Sequence, residues 1–152
     1  FFYKSKKQIM KVVIASDHAG YSLRMKIVQN LRLVGGKYIV KDLGTNSLSS
    51  CDFPDYAKSL CEFMEQNTDY LGILVCGSGI GMSMAANRYK HIRCALCRSS
   101  DDAIIAREHN NANVIALGER FTGELVAMNI VPAFLNTEFL GTYYQERMDM
   151  IS

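Results

Sequence analysis

Tyr70-Leu71-Gly72-Ile73-Leu74-Val75-Cys76 runs directly into Gly77-Ser78-Gly79-Ile80-Gly81. A segment this apolar along its whole length reads as a strand covered on both faces, the condition of a parallel sheet flanked by helices. The three glycines make a tight turn, and the residues after them, through Ala85-Ala86 to about Tyr89, suit a helix. Strand, turn and helix in immediate succession are one unit of a wound α/β sheet.

The same unit repeats in both directions. Upstream, Lys11–Ser16 (KVVIAS) is a β-branched strand ending at Asp17-His18. Leu23, Ile27 and Leu31 then recur every four residues, the mark of an amphipathic helix, which Gly35-Gly36 stops. Lys37–Asp42 reads as the second strand, and Pro54 opens the next helix in a first turn that tolerates it. Tyr56, Ala57, Leu60, Cys61 and Met64 form that helix's apolar face. Downstream, Ile92–Cys97 is a fourth strand, and Ser99 or Ser100 caps a helix through Arg107. Asn113–Leu117 is a fifth strand. A last helix opens at Thr122, and Pro132 is expected to kink or end it. A polar tail with Tyr143, Tyr144 and Arg147 follows. The fold expected is α/β: a three-layer, doubly wound (Rossmann-like) sheet of five mostly parallel strands. No repeat or Pro/Gly-rich linker divides it, so 10–152 is expected to be one domain. Residues 1–9 read as an N-terminal extension or cloning remnant, with Met10 the natural start.

Composition narrows the function. With 152 residues, 49% of them hydrophobic, the chain can bury a core unaided and is not disordered. Seventeen basic and fifteen acidic residues leave a net charge of +2, without the concentrated basic field of a nucleic-acid binder. No apolar run approaches the ~20 residues of a membrane span. Five cysteines without regular spacing, and no signal-like h-region in FFYKSKKQI, point to reduced thiols and a cytoplasmic location.

In wound sheets ligands bind beyond the carboxyl ends of the strands. That selects Asp17-His18, Cys76 to Gly81, and Gly118-Glu119-Arg120. The glycine turn opens a helix, whose free N–H groups and dipole suit an anion or a developing oxyanion. It is neither a dinucleotide fingerprint, because Met82 stands where glycine is required, nor a P-loop. It could also be a turn that merely packs a helix on a strand. Cys76 at its lip faces a helix N-terminus, which favours a reactive thiolate, although cysteine is often a small buried hydrophobe. Cys94 and Cys97 lie three apart on a strand and so point to opposite faces, which argues against a redox or zinc pair. Asp17-His18 could bind hydroxyls or phosphate, or transfer protons, or Asp17 could simply cap a helix. His109 at a helix end could complement the dipole, and His91 reads as a solvated turn residue. Three histidines without ligand spacing argue against a metal. Arg120 and Arg147 are candidate anion partners.

Taken together, Asp17-His18-Ala19-Gly20, Asp52-Phe53-Pro54-Asp55-Tyr56-Ala57, Cys76 through Asn87, and Arg107-Glu108-His109-Asn110 through Asn113-Val114 to Gly118-Glu119-Arg120 resemble ribose-5-phosphate isomerase of the B type. That family includes galactose-6-phosphate isomerase subunits and some allose-6-phosphate isomerases. The resemblance spans nearly everything from Met10 to Ile151. It implies an aldose–ketose isomerase of the non-oxidative pentose phosphate branch, acting through an enediolate without metal or organic cofactor. Cys76 matches the proton-shuttling base, and Gly77, Ser78, Gly79, Ile80 and Gly81 match the loop that holds the enediolate oxygens. His109 matches the ring-opening acid/base. Asp17 and Asn110 match substrate-positioning residues, and His18, Arg120 and Arg147 match phosphate contacts. The resemblance also implies a homodimer with shared active sites, or a tetramer of such dimers, acting on a small sugar phosphate.

Two features stand apart. Some relatives place a glutamate base where Met82 stands, so here Cys76 must serve. Many relatives carry an arginine where this chain has Tyr143, which removes one charge from the phosphate clamp. A six-carbon sugar phosphate is the alternative substrate. A cysteine hydrolase using Cys76 with His109, or a non-catalytic phosphate-binding module, would explain less of the ordered motif set.

Overall fold

The β-branched runs form the strands that their composition predicts. In the computed structural model, which describes residues 8–152, the order is β1 (Met10–Ser16), α1 (Tyr21–Leu33), β2 (Tyr38–Asp42), α2 (Phe53–Gln66), β3 (Tyr70–Cys76), α3 (Ile80–Ala86), β4 (Cys94–Leu96), α4 (Ser100–Asn110), β5 (Val114–Gly118), α5 (Glu124–Asn136) and α6 (Tyr143–Ile151). Of the expected extension 1–9, all but Gln8 and Ile9 lies outside the described residues.

The five strands pair in the order β2-β1-β3-β5-β4, and every pairing is parallel. Alternation along each strand divides the core into two layers. Val12, Ile14, Ile73, Val75, Ile115 and Leu117 face α1, α4 and α5. Val13, Ala15, Leu74, Cys76, Val114 and Ala116 face α2 and α3. Cys97 packs in the first layer and Cys94 against the second, as their spacing requires.

Three expectations need correction. Pro132 does not end α5, which continues to Asn136; Asn136 Nδ2 donates to the Pro132 carbonyl at 2.8 Å in the turn that follows. The polar tail is a helix, α6, with Met148 as its buried residue. His91 is half-buried rather than solvated, its Nε2 lying 2.7 Å from the Cys61 carbonyl oxygen.

One buried charge ties the elements together. Arg24, 1% exposed on the inner face of α1, donates to Ser16 Oγ at 2.8 Å and also to Asp42 and the Thr45 carbonyl. It thereby fixes the ends of β1 and β2 and the loop that follows β2.

Candidate active site

The chain leaves β1 for one layer through α1 and leaves β3 for the other through α3. Because β1 and β3 are neighbours, these diverging exits open a crevice at their carboxyl ends, the topological switch point of the sheet. Asp17-His18 continues β1 into the crevice, the glycine turn continues β3, and Arg120 follows β5 beside it.

Two glycines let these strands come so close. Gly79 sits at φ +76, and a methyl group there would lie 2.7 Å from Leu96 Cδ1. A methyl on Gly118 would lie 2.4 Å from the Ser78 carbonyl oxygen. Any larger residue at either position would push the turn off β5. Glu119 N–H to the Cys76 carbonyl at 2.9 Å and Arg120 N–H to the Gly77 carbonyl at 3.0 Å lock the segment after β5 onto the turn. Phe53, at the start of α2, packs its ring against Gly81.

Cys76 is buried at 5% exposure, and its Sγ accepts the Gly79 N–H at 3.1 Å. Ser78 Oγ accepts the Ile80 N–H at 3.2 Å, which leaves its own proton free to donate. The N–H groups of Gly77, Ser78 and Gly81 have no acceptor among the described residues. The turn therefore presents a sulfur beside several amide donors, the arrangement that stabilises an oxyanion next to a base. Elsewhere, burial pushes the Cys61 and Cys97 thiols up to about 12 and the Cys94 thiol higher still, so those sulfurs stay protonated.

Asp17 is buried and accepts the Gly20 N–H through Oδ1 at 3.0 Å. It thus closes the turn that leads into α1 and still has Oδ2 for a ligand. His18 is half-buried, with Nδ1 3.2 Å from both the backbone nitrogen and the carbonyl oxygen of Cys51. The Arg120 guanidinium lies against Gly77, where a methyl group would meet it at 3.3 Å. Next to them, burial raises the Glu119 carboxyl above its usual range, and Asp17 adds to the effect.

The remaining expected residues gather elsewhere. His109 and Asn110 end α4, and Val114 opens β5 at the amino edge of the sheet. Gly118, level with Cys76, closes that strand about 13 Å further along. There the His109 ring stacks on Tyr144 at 4.3 Å with 9° between the planes. Asn110 Nδ2 reaches Met148 Sδ at 3.6 Å, and the Arg147 guanidinium lies 4.9 Å from the Tyr143 ring centre. One chain thus assembles Asp17, His18, Cys76 to Gly81 and Arg120 at one edge, and His109, Asn110 and Arg147 at the other. A separate cavity of about 740 Å³, lined in part by Lys11, Lys37, Asp69 and Arg107, includes none of these site residues.

The sequence reading missed Arg24 and Tyr144. Arg24 could have been found as a charge on the buried stripe between Leu23 and Ile27, with Asp42 closing the next strand as its partner. Tyr144 carried no such signal, because its segment read as a tail.

The chain resembles known proteins over nearly its whole length. Residues 12–151 match the model of a family described as Ribose/Galactose Isomerase. The chain is 36% identical to ribose-5-phosphate isomerase B of Escherichia coli over 93% of its length and 94% of the relative's. The crystal structure of a ribose 5-phosphate isomerase from Thermotoga maritima superposes with a TM-score of 0.91 at 45% identity, covering 95% of this chain and 98% of that one. The Mycoplasma genitalium ribose-5-phosphate isomerase B, solved with bound ribulose-5-phosphate, superposes at 0.89 with 39% identity and 95% coverage of both chains. By its fold, its ordered motifs and these matches, the chain belongs to the Ribose/Galactose Isomerase family of sugar phosphate isomerases.

Proposed function

We propose that this protein interconverts D-ribose 5-phosphate and D-ribulose 5-phosphate through an enediolate, with Cys76 as the base. The carrying observation is the Cys76 sulfur held 3.1 Å from the Gly79 amide, beside the Gly77, Ser78 and Gly81 N–H groups that have no acceptor among the described residues. The Cys76 thiolate takes the proton from C2 of the open-chain aldose. The electron pair of that C–H bond becomes the C1–C2 double bond, and the carbonyl pair moves onto O1. Gly77, Ser78 and Gly81 donate to the charged oxygen, where one such donor lowers the barrier by about 3–4 kcal/mol. Cys76 returns the proton to C1 while the O2 proton passes to O1, giving the ketose with no net gain or loss of atoms. Asp17 grips sugar hydroxyls, and His18 and Arg120 hold the phosphate.

His109 opens the furanose ring, Asn110 positions the substrate, and Arg147 adds a cation to the phosphate site. In one chain these three stand at the opposite edge from Cys76. This separation supports a homodimer in which a second copy supplies them. The reaction places the protein in the non-oxidative branch of pentose phosphate metabolism, a cytoplasmic setting consistent with its five free thiols. Among the described residues no helix is long and apolar enough to cross a membrane.

The test is NMR in deuterated water with ribose 5-phosphate, allose 6-phosphate and galactose 6-phosphate. The expected result is conversion of the five-carbon sugar with solvent deuterium at the exchanging carbon, and loss of both in Cys76→Ala. Near-normal turnover by Cys76→Ala would refute the base, and preference for a six-carbon sugar would refute the substrate.

A further inference from the structure

We propose that Tyr144 is a positioning residue for His109, fixing the plane of its imidazole by stacking so that both ring nitrogens stay free for substrate. The inference rests on the reading of His109 as the ring-opening acid/base and extends it to the group that orients that ring. Catalytic histidines are commonly oriented by a hydrogen bond from one nitrogen to a third group. Here neither nitrogen of His109 has a hydrogen-bond partner among the described residues, although the ring is half-buried. What meets it is the Tyr144 ring, nearly parallel at 4.3 Å and 9°. Rotation of an imidazole about its outer side-chain bond is otherwise broad, so this contact sets the plane.

Tyr144 is itself well held. Tyr143 donates its hydroxyl to that of Tyr144 at 3.1 Å. Asn110 meets Met148 one turn further along α6, and the Leu140 N–H donates to the Glu108 carbonyl at 3.1 Å. The helix bearing Tyr144 and the segment leading into it are therefore fastened to the helix bearing His109 on both sides of the stack. Arg147 leans chiefly on Tyr143, at 4.9 Å against 5.9 Å for Tyr144. Removing the Tyr144 ring should thus disturb His109 more than the phosphate cation.

The experiment compares Tyr144→Leu, Tyr144→Phe and His109→Ala in the full-length protein. Steady-state rates on ribose 5-phosphate are read together with NMR shifts of the His109 ring protons. Tyr144→Leu is expected to lower kcat about tenfold with KM changed less than about twofold, and to abolish the upfield ring-current shift of those protons. Tyr144→Phe is expected to recover most of the rate and the shift. If His109→Ala is impaired but Tyr144→Leu turns over normally, the positioning role is overturned while the ring-opening reading stands. If His109→Ala itself is unimpaired, the ring-opening reading fails and the inference fails with it. Loss of rate in Tyr144→Leu with the ring-current shift unchanged overturns the stack as its cause.

Discussion

The two edges of the sheet hold their functional groups by different physics. At the carboxyl edge, position comes from the backbone: Gly79 and Gly118 admit no side chain, and the Cys76 sulfur is aimed by an amide. At the amino edge, His109 of α4 and Tyr144, Tyr143 and Arg147 of α6 hold one another by stacked rings and a guanidinium, and α6 has Met148 as its buried residue. The first cluster inherits the rigidity of the sheet. The second stands on a surface, where a partner can meet it. The contrast is between groups placed by the backbone and groups placed by one another.

The sharpest way to break this comparison is complementation. Cys76→Ala and His109→Ala should each lower kcat by about 10²- to 10⁴-fold, as expected for removal of an acid/base group. Mixing the two unfolded variants and refolding them together should restore about a quarter of wild-type activity, since half of randomly paired dimers carry one intact site. Absence of recovery would mean that both groups act within one chain.

A second test compares the two edges as structure. Arg24→Met leaves Asp42 and the Thr45 carbonyl without their buried cation and should cost about 3–5 kcal/mol in denaturant unfolding. Arg147→Met, on the exposed side of α6, should leave the unfolding midpoint nearly unchanged. Equal losses would show that the amino-edge cluster is as integral to the fold as the carboxyl edge.

Gly118→Ala should cost about 1–3 kcal/mol through overpacking and should lower kcat as well, because relief of the clash moves Ser78. A variant that loses stability while keeping its rate would separate the turn from the chemistry. The smallest effect concerns the exposed Lys11–Asp69 pair, which joins β1 to the start of β3 at 2.7 Å. The Lys11 hydrogen bond holds the Asp69 carboxyl below its usual range. Its contribution is therefore present above the ordinary carboxylate pKa and is lost as pH falls through the lowered one. Melting curves of wild type and Asp69→Asn should differ slightly at neutral pH and converge in acid; a constant gap would assign the effect to something other than charge.

Much of this was legible in the chain itself. The five strands announce themselves through short apolar runs, α1, α2 and α5 through their apolar faces, α3 through the glycine turn and α4 through its serine cap. The turn with Cys76 is local in sequence, so its place after β3 could be read without coordinates. What escaped reading depends on distant partners or lacks a stripe. α6 has Met148 as its buried residue, too little to produce a helical pattern. His91 is held by the carbonyl of Cys61, thirty residues earlier, which no local window reports. Pro132 breaks the helical rule only on average, because the packing of Val131, Phe134 and Leu135 around it outweighs one missing backbone hydrogen bond. Tyr144 needed the third dimension to meet His109.

The missing methyl at Gly118 has one more consequence. With the Ser78 carbonyl wedged against β5, the floor of the crevice cannot swing open like a flap without unzipping the sheet. Access to the turn is then governed by the rim of the crevice. Any motion there leaves the amide donors beneath already in place.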